Sequence, residues 1–69
     1  MNVYIFKTSI SPQDISFVNS ILRSVIPKSS WNFDLEDCDH ILRVESKKNI
    51  TKLVQLNLQR DGFECEELL

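Results

Sequence analysis

The stretch "WNFDLEDCDHILRVES", residues 31–46, decides the fold. Trp31, Phe33 and Leu35 alternate with Asn32 and Asp34, the period of a strand that buries one face. A second run, "HILRVES" (40–46), sets Leu42 and Val44 on one face and Ile41 and Arg43 on the other. Two such runs joined by a short polar segment form an antiparallel hairpin. The hairpin sits in the middle of the chain, so the segments on either side of it set the topology.

Upstream, "NVYIFKT" (2–8) is rich in β-branched and aromatic residues, which favours a strand. With Lys7 toward water, Val3 and Ile5 share its face, and Tyr4 and Phe6 point inward. "SPQDISFVNSILRSVIPK" (11–28) opens as a helix does: Ser11 can cap, Pro12 suits the first turn, and Asp14 follows three residues after the cap. Ile15, Val18, Ile21, Leu22, Val25 and Ile26 then recur at spacings of three and four, with Phe17 widening the stripe, and Pro27 ends the helix. Downstream, Asn49 can cap a second helix carrying Ile50, Leu53, Val54, Leu56 and Leu58. Gly62 supplies the left-handed residue that closes it. "FECEEL" (63–68) is a short last strand. The order βαββαβ predicts an α+β, ferredoxin-like sandwich: a four-stranded antiparallel sheet with two helices on one face and the second and fourth strands at the edges. Residues 1–69 make one domain, without repeats or linkers.

A chain of 69 residues that is 42% apolar and 26% charged belongs with ordered globular domains rather than disordered ones. The net charge of −2 is unevenly spread, with Asp34, Glu36, Asp37 and Asp39 in one segment and Asp61, Glu64, Glu66 and Glu67 in another. Only Lys47 and Lys48 are adjacent among the cations, so there is no basic stripe for a nucleic-acid backbone. Tyr4, Phe6, Trp31 and Phe33 are numerous enough for an RNA-stacking sheet, but their inward parity assigns them to the core. No apolar run is long enough to cross a bilayer and no leader pattern opens the chain, so a cytoplasmic protein is expected. Cys38 and Cys65 would then stay thiols, with Cys65 on the inward face beside Phe63.

The strand order, the helix-1 stripe ending at Pro27, the strands "WNFDL" and "ILRVES", and the close "RDGFECEEL" together resemble the heavy-metal-associated domain of copper chaperones and metal-pumping ATPases. The resemblance covers nearly the whole chain and implies the ferredoxin-like fold. Its chemistry lies in a Met-x-Cys-x-x-Cys loop between strand 1 and helix 1, where two thiolates hold one soft cation. Setting Ile15, Val18 and Leu22 on the family's stripe places Ser9 at the methionine position, Ser11 at the first cysteine and Asp14 at the second. Both sulfur ligands are absent. Hydroxyl and carboxylate groups suit a helix cap instead, so the resemblance implies a member without the family's metal site and without a cofactor.

"DLEDCDH" (34–40) gathers four carboxylates, a thiol and the chain's only histidine. Cys38, Asp39 and His40 are the alternative metal ligands there, for zinc or copper. Strand neighbours point to opposite faces, however, and calcium would need a longer loop with a glycine, so a solvated turn is the plainer reading. His40 lacks a nucleophile and an orienting partner, and no catalytic residue is expected. What remains is a non-catalytic interaction or self-associating domain, binding a second copy or another protein. Trp31 and Asn32 leave the second strand's edge open, and an exposed Ile41, or Val3 and Ile5, would extend contact over the sheet's open face.

Overall fold

The alternation in the central stretch is realised as two strands, β2 (Ser30–Asp34) and β3 (Ile41–Ser46), paired antiparallel with Trp31 opposite Val44 and Phe33 opposite Leu42. The structure, a computed structural model, describes residues 1–68. β3 pairs on its other side with β1 (Asn2–Thr8), and β1 with β4 (Cys65–Leu68), all antiparallel. The sheet order is β2-β3-β1-β4. Helices α1 (Ile15–Val25) and α2 (Thr51–Arg60) bury Val18, Leu22, Val54 and Leu58 against one face of that sheet. This is the ferredoxin-like βαββαβ arrangement that the element order predicts, with β2 and β4 at the edges.

On the strands the core follows the predicted parity, whereas Phe17 on α1 and Leu53 and Leu56 on α2, counted with the apolar stripes in the sequence, are 51%, 49% and 59% exposed. Phe6, Leu42 and Val44 from the central strands are fully buried, and Tyr4, Trp31 and Phe33 pack against them. Ile10, Ile26 and Ile50 close the ends of this layer. Fully burying one such side chain contributes about 1.5–3 kcal/mol. The aromatic residues therefore hold the two layers together rather than offering a stacking platform. Trp31 also has a polar tether: its indole Nε1–H donates to Asn19 Oδ1 on α1 at 2.9 Å.

The helix ends have local causes. A single 3-10 turn, Pro12–Asp14, leads into α1, and the helix stops at Val25, two residues before Pro27. The N-cap position of α2 is Ile50 rather than the expected Asn49, which stands one residue before it and accepts from Thr51 N–H through Oδ1 at 3.0 Å. At the other end Gly62 adopts φ 91°, while Phe63 N–H bonds Leu58 O and Gly62 N–H bonds Gln59 O, each at 3.0 Å. That pair of bonds is the Schellman closure, which needs a left-handed residue at this position. β4 begins at Cys65 rather than at Phe63: Phe63 N–H belongs to the helix closure, and Glu64 N–H bonds the Ser9 hydroxyl instead of the β1 main chain. β3 begins at Ile41 rather than at His40 because His40 is itself left-handed, with φ 47°.

Candidate functional site

The β1–α1 loop, where the resemblance seats a soft metal, is closed on itself by oxygen donors. Asp14 Oδ2 accepts from Ser11 N–H at 3.0 Å and from Ser11 Oγ–H at 2.8 Å, completing a capping box. The two bonds from Ser11, the backbone one foremost, hold the Asp14 carboxyl below the usual carboxylate range. Ser9 Oγ accepts from Glu64 N–H at 2.9 Å and so ties the loop to the start of β4. Ile10 between them is buried in the core. The three positions that would carry ligands in the resembled family here organise a helix start and a strand start.

At the hairpin tip the structure regroups the expected ligands. Asp37, Cys38 and Asp39 each offer an atom within 4.8 Å of the others, with Asp37 and Cys38 exposed. His40 is not in this group. Its Nδ1 meets Ile10 O, its own carbonyl accepts from Thr8 Oγ1, and Thr8 N–H bonds Asp39 O at 3.0 Å. These contacts clamp the tip to the β1–α1 loop, and they require the left-handed backbone at His40. Of the alternative ligand set Cys38, Asp39 and His40, the first two lie together and the histidine serves the scaffold. Asp39 also lies 3.8 Å from Lys7 Nζ, and Asp37 Oδ1 accepts from Asp39 N–H at 2.9 Å, a local side-chain to backbone bond of the kind that shapes Asp-rich turns.

Cys65 and Cys38 are both free thiols, one buried and one exposed. Burial pushes the Cys65 thiol up to about 12. Cys65, 3% exposed, is a core residue whose thiol stays protonated at neutral pH.

The sheet's open face is a poor contact surface. Val3 is 55% and Leu68 41% exposed, with Ile5 half-buried between them, but Lys7, Arg43, Glu45 and Glu66 stand around this island. Ile41 corrects the sequence reading: it is 7% exposed and contributes no open apolar surface. It lies between Lys7 and Asp34 in register, and Lys7 Nζ stands 3.8 Å from Asp39.

The two edges differ. Ser9 N–H bonds Glu64 O at 3.2 Å, so by antiparallel alternation the main chains of Cys65 and Glu67 point away from β1. Both groups are covered: Gln59 Nε2–H donates to Cys65 O and Gln55 Oε1 accepts from Glu67 N–H, each at 2.9 Å. Two glutamines, one helical turn apart on α2, thus close the β4 edge. Carrying the same alternation across the sheet directs Ser30, Asn32 and Asp34 toward β3 and leaves the amides and carbonyls of Trp31 and Phe33 facing outward. Among the described residues no side-chain hydrogen bond reaches them; the side-chain bonds made by β2 are those of the Trp31 indole and of Asn32. The outward groups at Trp31 and Phe33 flank Asn32, whose Oδ1 accepts from Arg43 at 3.1 Å on the open face. Sequence periodicity places both edges, but the glutamine cover has no periodic signature and escapes it.

Charge divides along the β2–β3 axis. An open groove of about 640 Å³ lies at the Ser30 end, with Ile26, Ile50 and Leu53 on its walls and three lysines, Lys28, Lys47 and Lys48, against one carboxylate, Glu45, around them. The opposite end of the hairpin carries Glu36, Asp37 and Asp39. Among the described residues, no helix is long and apolar enough to cross a membrane. Comparison of the chain with protein families, with curated proteins and with solved structures finds no match.

Proposed function

We propose that this chain is a non-catalytic protein-interaction module, a heavy-metal-associated-like scaffold without the metal loop, that binds by accepting an extended strand at β2. One observation carries the reading: the β4 edge is closed by Gln55 and Gln59, whereas the β2 edge presents main-chain groups with no cover. A protein under pressure to stay apart covers or charges both edges. An open edge gains main-chain hydrogen bonds from an added strand, and alternate side chains set its specificity. Here Trp31 and Phe33 on the helix side and Asn32 on the open side would read those side chains.

The test is selection of peptides from a random display library on the dilute, immobilised chain. Binders are expected to slow amide exchange at Trp31 and Phe33. Binders that protect only helix or β4 amides would overturn the proposal, as would the absence of any binder.

A second reading has one observation in its favour, the proximity of Asp37, Cys38 and Asp39, which together could hold zinc. Calorimetric titration of the reduced chain with zinc separates the two. Strand binding unaffected by a chelator supports the interaction module. Stoichiometric zinc uptake tighter than about micromolar and lost in Cys38→Ser would put metal handling first, since four-coordinate sites use such ligands.

A further inference from the structure

The open edge has a self-complementary register, and from it we infer that the strand β2 accepts is β2 of a second copy, antiparallel and centred on Asn32. This rests on the reading of β2 as a strand acceptor. Pairing about Asn32 sets Ser30 against Asp34, Trp31 against Phe33 and Asn32 against itself. Trp31 and Phe33, the residues whose main chains face outward, become the hydrogen-bonded pairs, so the two-fold arrangement makes four main-chain bonds. The aromatic pairs fall on the helix-side face, where such cross-strand neighbours are favourable. Each Ser30 hydroxyl meets an Asp34 carboxylate, and no like charges are opposed.

The charge division along the hairpin extends the match. Beyond the strand the chain turns at Pro27–Lys28 and bends at Glu36, and the same two-fold brings the Lys28 turn of one copy to the side of the other copy's Glu36, once at each end of the paired strands. The lysine-lined end of one copy therefore lies beside the acidic tip of the other. Sliding the register by two costs part of this overlap: centring on Trp31 removes Asp34 from Ser30, and centring on Phe33 brings Glu36 to Ser30. The β4 edge permits nothing similar, because an antiparallel self-pairing centred on Glu66, on Glu67 or between them sets glutamate against glutamate, and one centred on Cys65 sets Glu66 against Glu64. An isologous contact of this kind closes at two copies, which removes the open edge and stops further growth. The result is a continuous eight-stranded sheet in place of two four-stranded ones.

Cysteine crosslinking in a Cys38→Ser background reads the register directly. Asn32 opposite Asn32 is a non-hydrogen-bonded pair, whose Cα separation of about 4.5 Å falls inside the range a disulfide spans. Asn32→Cys is expected to form a covalent dimer under mild oxidation. Ser30→Cys and Asp34→Cys should each fail alone and crosslink when mixed in equal amounts. Lys28→Glu and Glu36→Lys should each weaken the dimer about 2- to 30-fold by sedimentation equilibrium, and the double variant should restore it. Self-crosslinking of Ser30→Cys or Asp34→Cys, without that of Asn32→Cys, overturns the register. A chain that sediments as a monomer to millimolar concentration, yet whose Trp31 and Phe33 amides are protected by library peptides, overturns self-pairing and leaves the strand acceptor standing. A monomer that binds no peptide at β2 sinks both.

Discussion

Replacing Gln55 and Gln59 together by alanine uncovers the β4 edge without touching the core. The two side chains satisfy one amide and one carbonyl of β4, each across 2.9 Å in a part-buried setting. A hydrogen bond of this kind contributes about 0.5–1.5 kcal/mol net, so the pair is worth about 1–3 kcal/mol. Alanine is the better helix former, which returns a few tenths of a kcal/mol at each position. The double variant is therefore expected to lose about 0.5–2 kcal/mol. With a urea slope of about 1 kcal/mol/M for so small a domain, the midpoint should fall by about 0.5–2 M. Trp31, the single tryptophan, reports the transition by fluorescence because it packs against the core and is bonded to Asn19. Lys52→Ala on the exposed side of α2 controls for helix propensity. Exchange of the Glu67 amide should accelerate in the double variant alone. A midpoint unchanged within about 0.2 M, with Glu67 protection intact, would refute the assignment of these glutamines as the edge cover, and with it the asymmetry between β4 and β2.

Cys65 gives the alkaline limit of stability. Its folded value of about 12 lies above the unfolded one near 9, so the folded state holds the proton longer. The stabilisation is complete below pH 9 and is lost as the pH rises toward 12. Urea midpoints from pH 7 to 11 should fall in the native chain and stay flatter in Cys65→Ala, while thiol reagents at neutral pH should label Cys38 at once and Cys65 only on unfolding. Asp14 acts at the acid limit with the opposite sign: its lowered value contributes stability that is present above the ordinary carboxylate range and is lost as pH falls through it. Asp14→Ala should therefore be less stable than the native chain at pH 7 and approach it in strong acid, as circular dichroism melts would register. Gly62→Ala meets no atom within 4 Å of the new Cβ, so its cost comes from the φ of 91° alone. About 1 kcal/mol in urea denaturation is expected, and no loss would contradict the Schellman closure.

Local spacing made the scaffold legible. Periods of two and of three to four separate strands from helices because each element must put its apolar residues on one side. Asn49, Pro27 and Gly62 mark helix ends because capping and left-handed backbone are satisfied within a few residues. For the same reason the Ser11–Asp14 pairing is visible in the sequence as a cap. What only the tertiary structure decided depends on contacts between distant segments. His40 belongs by composition to the acidic tip, yet its ring meets Ile10 O, 30 residues away, and the tip keeps only Asp37, Cys38 and Asp39. Ile41 has the parity of an open-face residue and is buried nonetheless, at 7% exposure, between Lys7 and Asp34 in register. Gln55 and Gln59 read as two polar positions on an exposed helix side, and only the docking of α2 beside β4 turns them into an edge cover. Side-chain hydrogen bonds act over about 3 Å and carry no repeat along the chain, so a pattern in the sequence finds the strands but not which edge stays open.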